Sequence, residues 1–454
     1  MKKFYEGPPW AGTALFLVIA GACSPESSGD ERATQGSGSA QPNLVLLLID
    51  TLRPDHLSTY GYKKQTAPFL ARLAEDSWVW TRAFSTSSWT PPSTASVFTG
   101  LYPTEHGVTS GFDAKNRPKM IEVPVLPSVV GTLPERLGHA GYRNFGVAAN
   151  INIGSQLGFD RGFDRFELMH KSDGHELVDK LLTWRTEIQG ETPYFLYAHF
   201  NDVHRPYNAR EPWYEEKKKE RRDTIAKYDS EITYLDSALE RFFAEMAFDD
   251  QTVVILISDH GEGFGNHETK GHGYNLNLEL NRVLMMMHAP ALTSDAQHCD
   301  VNVSLIDVFA TLLDLGGDRA DAGHGVSLVP LVRGEVGPAE LDRLNNRALF
   351  AHRTFTGRRK DNPNAGALWA AIQGPWKLIH DEVAGTAQLF DLDADPDEVH
   401  DQRTARPDVF SQLTGALESF RASTKALDST TVEIPMDDEL LDHLEALGYA
   451  GEDD

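Results

Sequence analysis

The stretch SDHGEGFGNHETKGHG, residues 258–273, sets two kinds of metal ligand side by side. Asp259 and His260 offer one oxygen and one imidazole at what reads as a strand end, a donor pair suited to a divalent ion. The glycines that follow let backbone approach a bound ligand closely. Asp50 closes another apolar run, NLVLLLID, and a carboxylate there needs a cation, a cluster of donors or a metal. Thr90, in SSWTPPSTASVFTG (87–100), supplies a hydroxyl. Such a group is a weak nucleophile until a base or a metal draws off its proton. Asp50, Asp259 and His260 would hold the metal, and Thr90 would complete its shell. Blander readings stand beside these: Asp259 or Asp50 as a helix cap, and a turn in which Ser93 or Thr94 caps the helix TASVFTG. HFNDVHRPY (199–207) adds His204, placed to assist a leaving group or an anionic oxygen, with Arg205 next to it. His199 reads equally as a core histidine, and Asp202 as loop structure or a ligand of a second metal.

These residues need a scaffold that brings distant chain segments together. NLVLLLID (43–50), PYFLYAHF (193–200) and TVVILISD (252–259) are continuous apolar runs, as expected of strands buried on both faces of a parallel sheet. Between them lie helical patterns, APFLARLAEDS (67–77) and AKYDSEITYLDSALERFFAEM (226–246). In the longer one, Tyr228, Ile232, Leu235, Leu239 and Phe242 recur at helical spacing. The alternation predicts an α/β fold with a doubly wound, mostly parallel central sheet flanked by helices. Ligands of such sheets bind beyond the carboxyl ends of the strands, where Asp50 and Asp259 fall. From about residue 345 the texture changes to short strands and turns, then a helical stretch, which predicts a small α+β appendage with an antiparallel sheet. The resulting division is 42–340 for the catalytic domain and 341–454 for a C-terminal subdomain.

The ends and the composition add context. Lys2 and Lys3 precede a short apolar run, ALFLVIAGA, and Cys23, which reads as a secretory signal over 1–22. Ala20-Gly21-Ala22-Cys23 resembles a bacterial lipobox, in which Cys23 is lipidated after cleavage. The Ser/Gly-rich residues 23–41 then form a flexible tether. The expected location is the cell envelope of a bacterium, lipid-anchored, with a soluble periplasmic or secreted form as the alternative. The chain holds two cysteines, so a lipidated Cys23 leaves Cys299 without a disulfide partner. The formal net charge of -25 over 454 residues argues against nucleic acid as a partner.

The ordered pieces NLVLLLIDTLRPDHLSTYGY, SSWTPPSTASVFTGLYPTEHGV, YFLYAHFNDVHRPY and VVILISDHGEGFGNHETKGHG resemble the sulfatase family of the alkaline-phosphatase superfamily. VSLIDVFATLLDLGG, GPWKLI, LFDLDADPDE and LEALGYAG continue the likeness, so it runs over roughly 42 to 451. The resemblance implies a sulfatase-like fold and a metal-dependent hydrolase of sulfate, phosphate or phosphonate esters. It implies Asp50, Thr90, Asp259 and His260 as ligands of one divalent ion, zinc or manganese favoured by the imidazole and calcium possible. Sulfatases convert a Cys or Ser to formylglycine; here that position is Thr90, which cannot be converted, and the Arg that steadies the aldehyde is Thr94. The family's Asp-Asp pair is Asp50-Thr51. Its Lys beyond the Asp-His pair corresponds to Lys270 or is replaced by His272. Its Lys-x-His cluster is missing, leaving Asn150 as a polar substitute that binds substrate with Arg205. Superfamily members that use Thr directly form a phospho-enzyme, and the same reading is expected here: Thr90 attacks, His272 and Lys270 stabilise charge, and His204 assists. The expected partner is a sulfated or phosphorylated small molecule or glycan. Two alternatives are a phospho-group transferase and an inert, glycan-binding pseudoenzyme.

Overall fold

Side chains alternate across an extended strand, so an all-apolar run must be covered on both faces. The computed structural model shows this for the three runs. It describes residues 41–112, 119–293, 296–318, 320–355, 366–428 and 430–446. The signal segment, Cys23 and the tether up to residue 40 lie outside them. The central sheet has eight strands: β1 (Asn43–Ile49), β2 (Trp78–Trp80), β3 (Arg143–Ala148), β4 (Arg165–Leu168), β5 (Tyr194–Phe200), β6 (Thr252–Ser258), β7 (Met285–His288) and β8 (Gln297–Cys299). Their spatial order is β8-β2-β7-β6-β1-β5-β3-β4. All run the same way except β7, which is antiparallel to both neighbours. The three apolar runs are adjacent at the centre, with Ile49 level with Phe200 on one side and Ser258 on the other. Asp50, Asn201 and Asp259 therefore follow the strands at the same edge.

Two apolar layers sandwich the sheet. Leu44, Leu46 and Leu48 of β1 join Phe195, Tyr197, Val253, Ile255 and Ile257 in one layer, which α1 (Thr90–Thr99) and α4 (Ile306–Leu315) cover through Val97, Phe98, Val308 and Leu312. Val45, Leu47 and Ile49 face the other layer, with Leu196, Val254 and Leu256. That side is covered by α2 (Gly174–Thr183) and α3 (Glu220–Met246), the latter through the expected stripe Tyr228, Ile232, Leu235, Leu239 and Phe242. Burying a Leu, Val or Phe side chain is worth about 1.5–3 kcal/mol, so these layers supply the rigidity that holds polar side chains at the edge.

A second, four-stranded antiparallel sheet holds β9 (Leu349–Phe355), β10 (Gly366–Gln373), β11 (Trp376–Asp381) and β12 (Thr386–Asp391) in sequential order. Helix α5 (Pro407–Ser423) packs Leu413 and Leu417 with Trp369 and Leu378 of this sheet. The last segments do not stay with it. Thr430–Pro435 pairs antiparallel with Met120–Val125, and the helix Asp438–Ala446 sends Leu440 and Leu444 into the first apolar layer of the central sheet. The described residues form one compact unit. No helix among the described residues is long and apolar enough to cross a membrane. Cys299 is a free, half-buried thiol whose pKa is raised by burial.

Candidate active site

The edge beyond β1 and β6 carries the site. Asp50, Thr90, Asp259 and His260, with Asn150 and His199, are all fully buried. Thr90 opens α1. The helix starts with Pro91 and Pro92 in its first turn, where proline is tolerated, and closes on Gly100 in the left-handed conformation. The turn reading of Ser93 and Thr94 as caps is thus corrected: both lie inside the helix, because Trp89 is the extended residue before it. Ser93 Oγ instead donates to the Asp259 carbonyl at 2.7 Å and contacts Ser85 Oγ at 2.9 Å, tying the helix to the metal-ligand loop. Thr90 caps nothing. Its Oγ1 lies 3.1 Å from His260 Nε2 and donates to Asp50 at 3.3–3.4 Å. Sitting at a helix N-terminus, it is also in a field that favours negative charge on its oxygen.

Asp50 and Asp259 respond oppositely to burial. For Asp50, burial pushes the pKa up, but the hydrogen bond from His199 and the charges of His204, His199 and His260 prevail and hold it well below the carboxylate range. Asp259 is raised by burial and by the Asp50 charge. Its Oδ1 accepts from the amides of Thr51 (3.2 Å) and His260 (2.8 Å), while Oδ2 has no hydrogen-bond partner. His260 Nδ1 faces the Gly261 carbonyl at 2.8 Å, so Nδ1 carries the proton and Nε2 presents its lone pair to the site. Burial lowers the His260 pKa, and the Asp259 and Asp50 charges more than restore it. Gly261 is required here: a Cβ would lie 2.0 Å from the Glu279 carbonyl oxygen.

An orphaned, buried carboxylate oxygen beside a second carboxylate is costly without a cation. Asp50, His199 and Asp259 each offer a ligand atom, all within 4.8 Å of one another. The residues present therefore fit a divalent ion. His199, which the sequence leaves open as a core histidine, belongs to this set. It sits second to last on β5, level with Leu48, with Nε2 3.2 Å from Asp50 Oδ2 and Nδ1 3.1 Å from the Tyr197 hydroxyl. The available signal was its position: an imidazole at the carboxyl end of a strand buried on both faces has few other partners.

Around these residues stand three of the other predicted groups. His204 is buried, its Nδ1 2.6 Å from the Arg205 carbonyl, and burial first of all lowers its pKa. His272 packs its ring 4.6 Å from that of His260 and 4.9 Å from that of His204, and burial pushes it down to about 3. The half-buried Arg205 lies over Gly271, where a Cβ would come within 3.1 Å of its guanidinium. A residue the sequence reading passed over, Glu262, anchors them. It is fully buried, with Oε1 3.3 Å from His272 Nδ1 and Oε2 accepting from the Tyr207 hydroxyl at 2.7 Å.

Two expectations and one open alternative change. Asn150 is not poised toward substrate: its amide donates to Asp50 at 2.8 Å and to Asn201 at 3.2 Å, so it steadies the carboxylate. Lys270 is not in the site. It lies in the short strand Thr269–Gly271, whose alternation buries Thr269 and Gly271 and turns Lys270 outward, 75% exposed and 3.4 Å from Glu220. Asp202, open as a second metal ligand, accepts instead from the Gly174 amide at 2.8 Å at the start of α2.

A mostly parallel sheet thus carries two carboxylates, two imidazoles and a buried hydroxyl at its carboxyl edge, a set of donors that could hold a divalent ion. The sequence pattern described as Sulfatase matches residues 42–317, and the chain belongs to the sulfatase family. It is similar to the N-acetylgalactosamine-6-O-sulfatase of Bacteroides thetaiotaomicron, with 23% identity over 85% of this chain and 94% of that one. In fold it is similar to the phosphonate monoester hydrolase of Agrobacterium radiobacter (TM-score 0.67, 19% identity, 87% and 100% of the chains). It is similar likewise to Ps i-CgsB, solved with k-i-k-neocarrahexaose (TM-score 0.67, 18% identity, 90% and 98%).

Proposed function

We propose that the protein hydrolyses a sulfate or phosphonate ester, on a sulfated glycan or a small molecule, with Thr90 as the nucleophile in place of a formylglycine. The observation that carries this is the placement of Thr90 Oγ1, buried, free of capping duty, and within hydrogen-bond distance of Asp50 and His260. Asp50, Asp259 and His260, with His199, would hold a divalent ion, zinc or manganese favoured by the imidazoles. When bound, such an ion lowers the pKa of a ligating hydroxyl and neutralises charge on the ester oxygens.

The chain's own residues do the rest. Thr90 Oγ1 gives up its proton and forms a bond to the sulfur or phosphorus as the ester bond breaks, and the alcohol leaves carrying that proton. Arg205 supplies positive charge at the rim, and His272, held by Glu262, lines the wall beside the reacting group. His204, buried beside the site with its ring 4.9 Å from that of His272, is placed to take the proton of the water that releases the group from Thr90. The likeness to an N-acetylgalactosamine-6-O-sulfatase and to Ps i-CgsB, solved with k-i-k-neocarrahexaose, supports a sulfated glycan as the substrate. Residues 1–22 as a signal and Cys23 as a lipid anchor complete this reading.

The test is intact-mass analysis of metal-loaded protein quenched during turnover of an aryl sulfate or a phosphonate monoester. A sulfo or phosphono group localised to Thr90 is expected, and Thr90→Ala should lose turnover by about a thousandfold or more while still binding metal. Unchanged turnover in Thr90→Ala would sink the assignment.

A further inference from the structure

Outside the active site, one cluster combines titratable groups, burial and backbone strain. His267 and Glu268 form the turn of the hairpin between Gly263–Asn266 and Thr269–Gly271, and both have left-handed backbone angles, φ +45° and +57°. That conformation is uncommon for any residue with a side chain, least so for Asn, Asp and His, so His267 suits it and Glu268 is held in it at a cost. His267 Nδ1 is 2.9 Å from Glu279 Oε1, and Nε2 is 3.4 Å from the backbone carbonyl of Glu398. Glu398 is itself locked in place: one carboxylate oxygen accepts from the Leu278 amide at 2.6 Å, and the other is 2.9 Å from Lys377 Nζ in an ion pair with no exposure on either side chain. Glu279 and Glu398 are thus matched by His267 and Lys377, two carboxylates against two cations. The cluster has the composition of a metal site but is already neutral, so an added divalent ion would be repelled by the lysine.

What the cluster joins is more informative. Glu279 belongs to the segment whose backbone accepts from Gly261 and Glu262, at 2.9 and 3.0 Å, directly behind the metal-ligand loop. Lys377 lies on β11 and Glu398 beyond β12, in the C-terminal sheet region. The return strand of the hairpin runs through Gly271 straight into His272.

We infer that His267 is a positioning residue: clasped between Glu279 and the Glu398 backbone, it fixes the turn and register of the 263–271 hairpin and so places His272 beside His260 and His204. The C-terminal region thereby completes the active site without contributing a side chain to it. The consequence for His272 rests on the function proposed above; the clasp itself does not.

The experiment compares wild type, His267→Asn and His267→Arg as full-length, metal-loaded proteins. Asn keeps a residue that tolerates the left-handed backbone but removes the cation, whereas Arg keeps the cation at a worse backbone position. Hydrogen exchange of residues 263–273 is read alongside kcat, KM, metal affinity and the affinity for inorganic vanadate. The expected result is exchange in 263–273 at least about tenfold faster in His267→Asn, with kcat down about 10–100-fold, KM and metal affinity within about twofold, and substantial recovery in His267→Arg. Unchanged exchange or unchanged kcat in His267→Asn overturns the inference, as does an equal loss in both variants. If the wild type turns over no ester, the proposed function fails alone. Faster exchange with vanadate affinity about tenfold weaker in His267→Asn then upholds the clasp, and unchanged exchange or affinity refutes it.

Discussion

At the edge of the central sheet Asp50 and Asp259 face His199 and His260; beyond the same loop, Glu279 and Glu398 face His267 and Lys377. Both are clusters of two carboxylates and two basic groups, the first wholly buried and the second with His267 reaching solvent, and they are finished differently. The second closes on itself: its ammonium and imidazole each meet a carboxylate, and Glu279 and its hydrogen bond raise His267 to about 9. The first stays open. Asp259 Oδ2 accepts no hydrogen bond and meets only His260 Nε2, at 3.5 Å, the pKa values of the two carboxylates move in opposite directions, and the Thr90 hydroxyl lies against both Asp50 and His260. Counting acids and histidines does not separate a metal centre from a structural clasp. Whether the charges are already matched does separate them.

The largest effect that would break this comparison comes from its open side. Asp259→Ala removes the orphaned oxygen, and bound metal should fall from about one equivalent to near zero in elemental analysis, with turnover reduced by about a thousandfold or more. Glu279→Gln, on the closed side, should leave the metal content unchanged. Full metal retention in Asp259→Ala would mean that the two clusters do not differ in the way argued.

The closed side predicts a smaller, pH-dependent effect. A histidine whose folded pKa is raised from 6.5 to about 9 binds its proton more tightly when folded. The stabilisation is fully present below pH 6.5, declines as pH rises, and is gone above about pH 9. Solvent reaches part of the side chain, so the size is about 1 kcal/mol. Urea melts at pH 6 and pH 9.5 should show a loss in the wild type exceeding that in His267→Asn by this amount. Equal losses would show that the clasp carries no net charge interaction.

Much of this was legible in the sequence, and what was missed has specific causes. The continuous apolar runs marked β1, β5 and β6 because no other element buries both faces over so few residues. Their terminal carboxylates and the proline-rich stretch holding Thr90 then pointed to the candidate site, where Asp50, Thr90 and Asp259 lie together. His199 was passed over because a single imidazole in an apolar strand has the same sequence appearance whether it packs or ligates; only the register with Leu48 puts it against Asp50. Asn150 was given to the substrate because sequence shows a polar residue near a site but not which way its amide turns. The return of Thr430–Pro435 and the helix after it to the central sheet was also not legible, since pairing across some 300 residues leaves no local pattern.

The smallest effect concerns Lys270, and it sharpens the boundary of the open site. In sequence it competed with His272 for the same stabilising role, two residues apart. In a strand, residues two apart share a face, but Gly271 at φ +81° breaks the alternation, so His272 turns inward while Lys270 stays on the outer face. Its partner Glu220 is 87% exposed, and such a surface pair contributes little. Lys270→Ala should therefore change kcat/KM by less than about twofold, whereas His272→Ala should cut it by about a hundredfold. A large loss in Lys270→Ala would mean that substrate reaches across the hairpin to its outer face, and the site would have to be redrawn to include it.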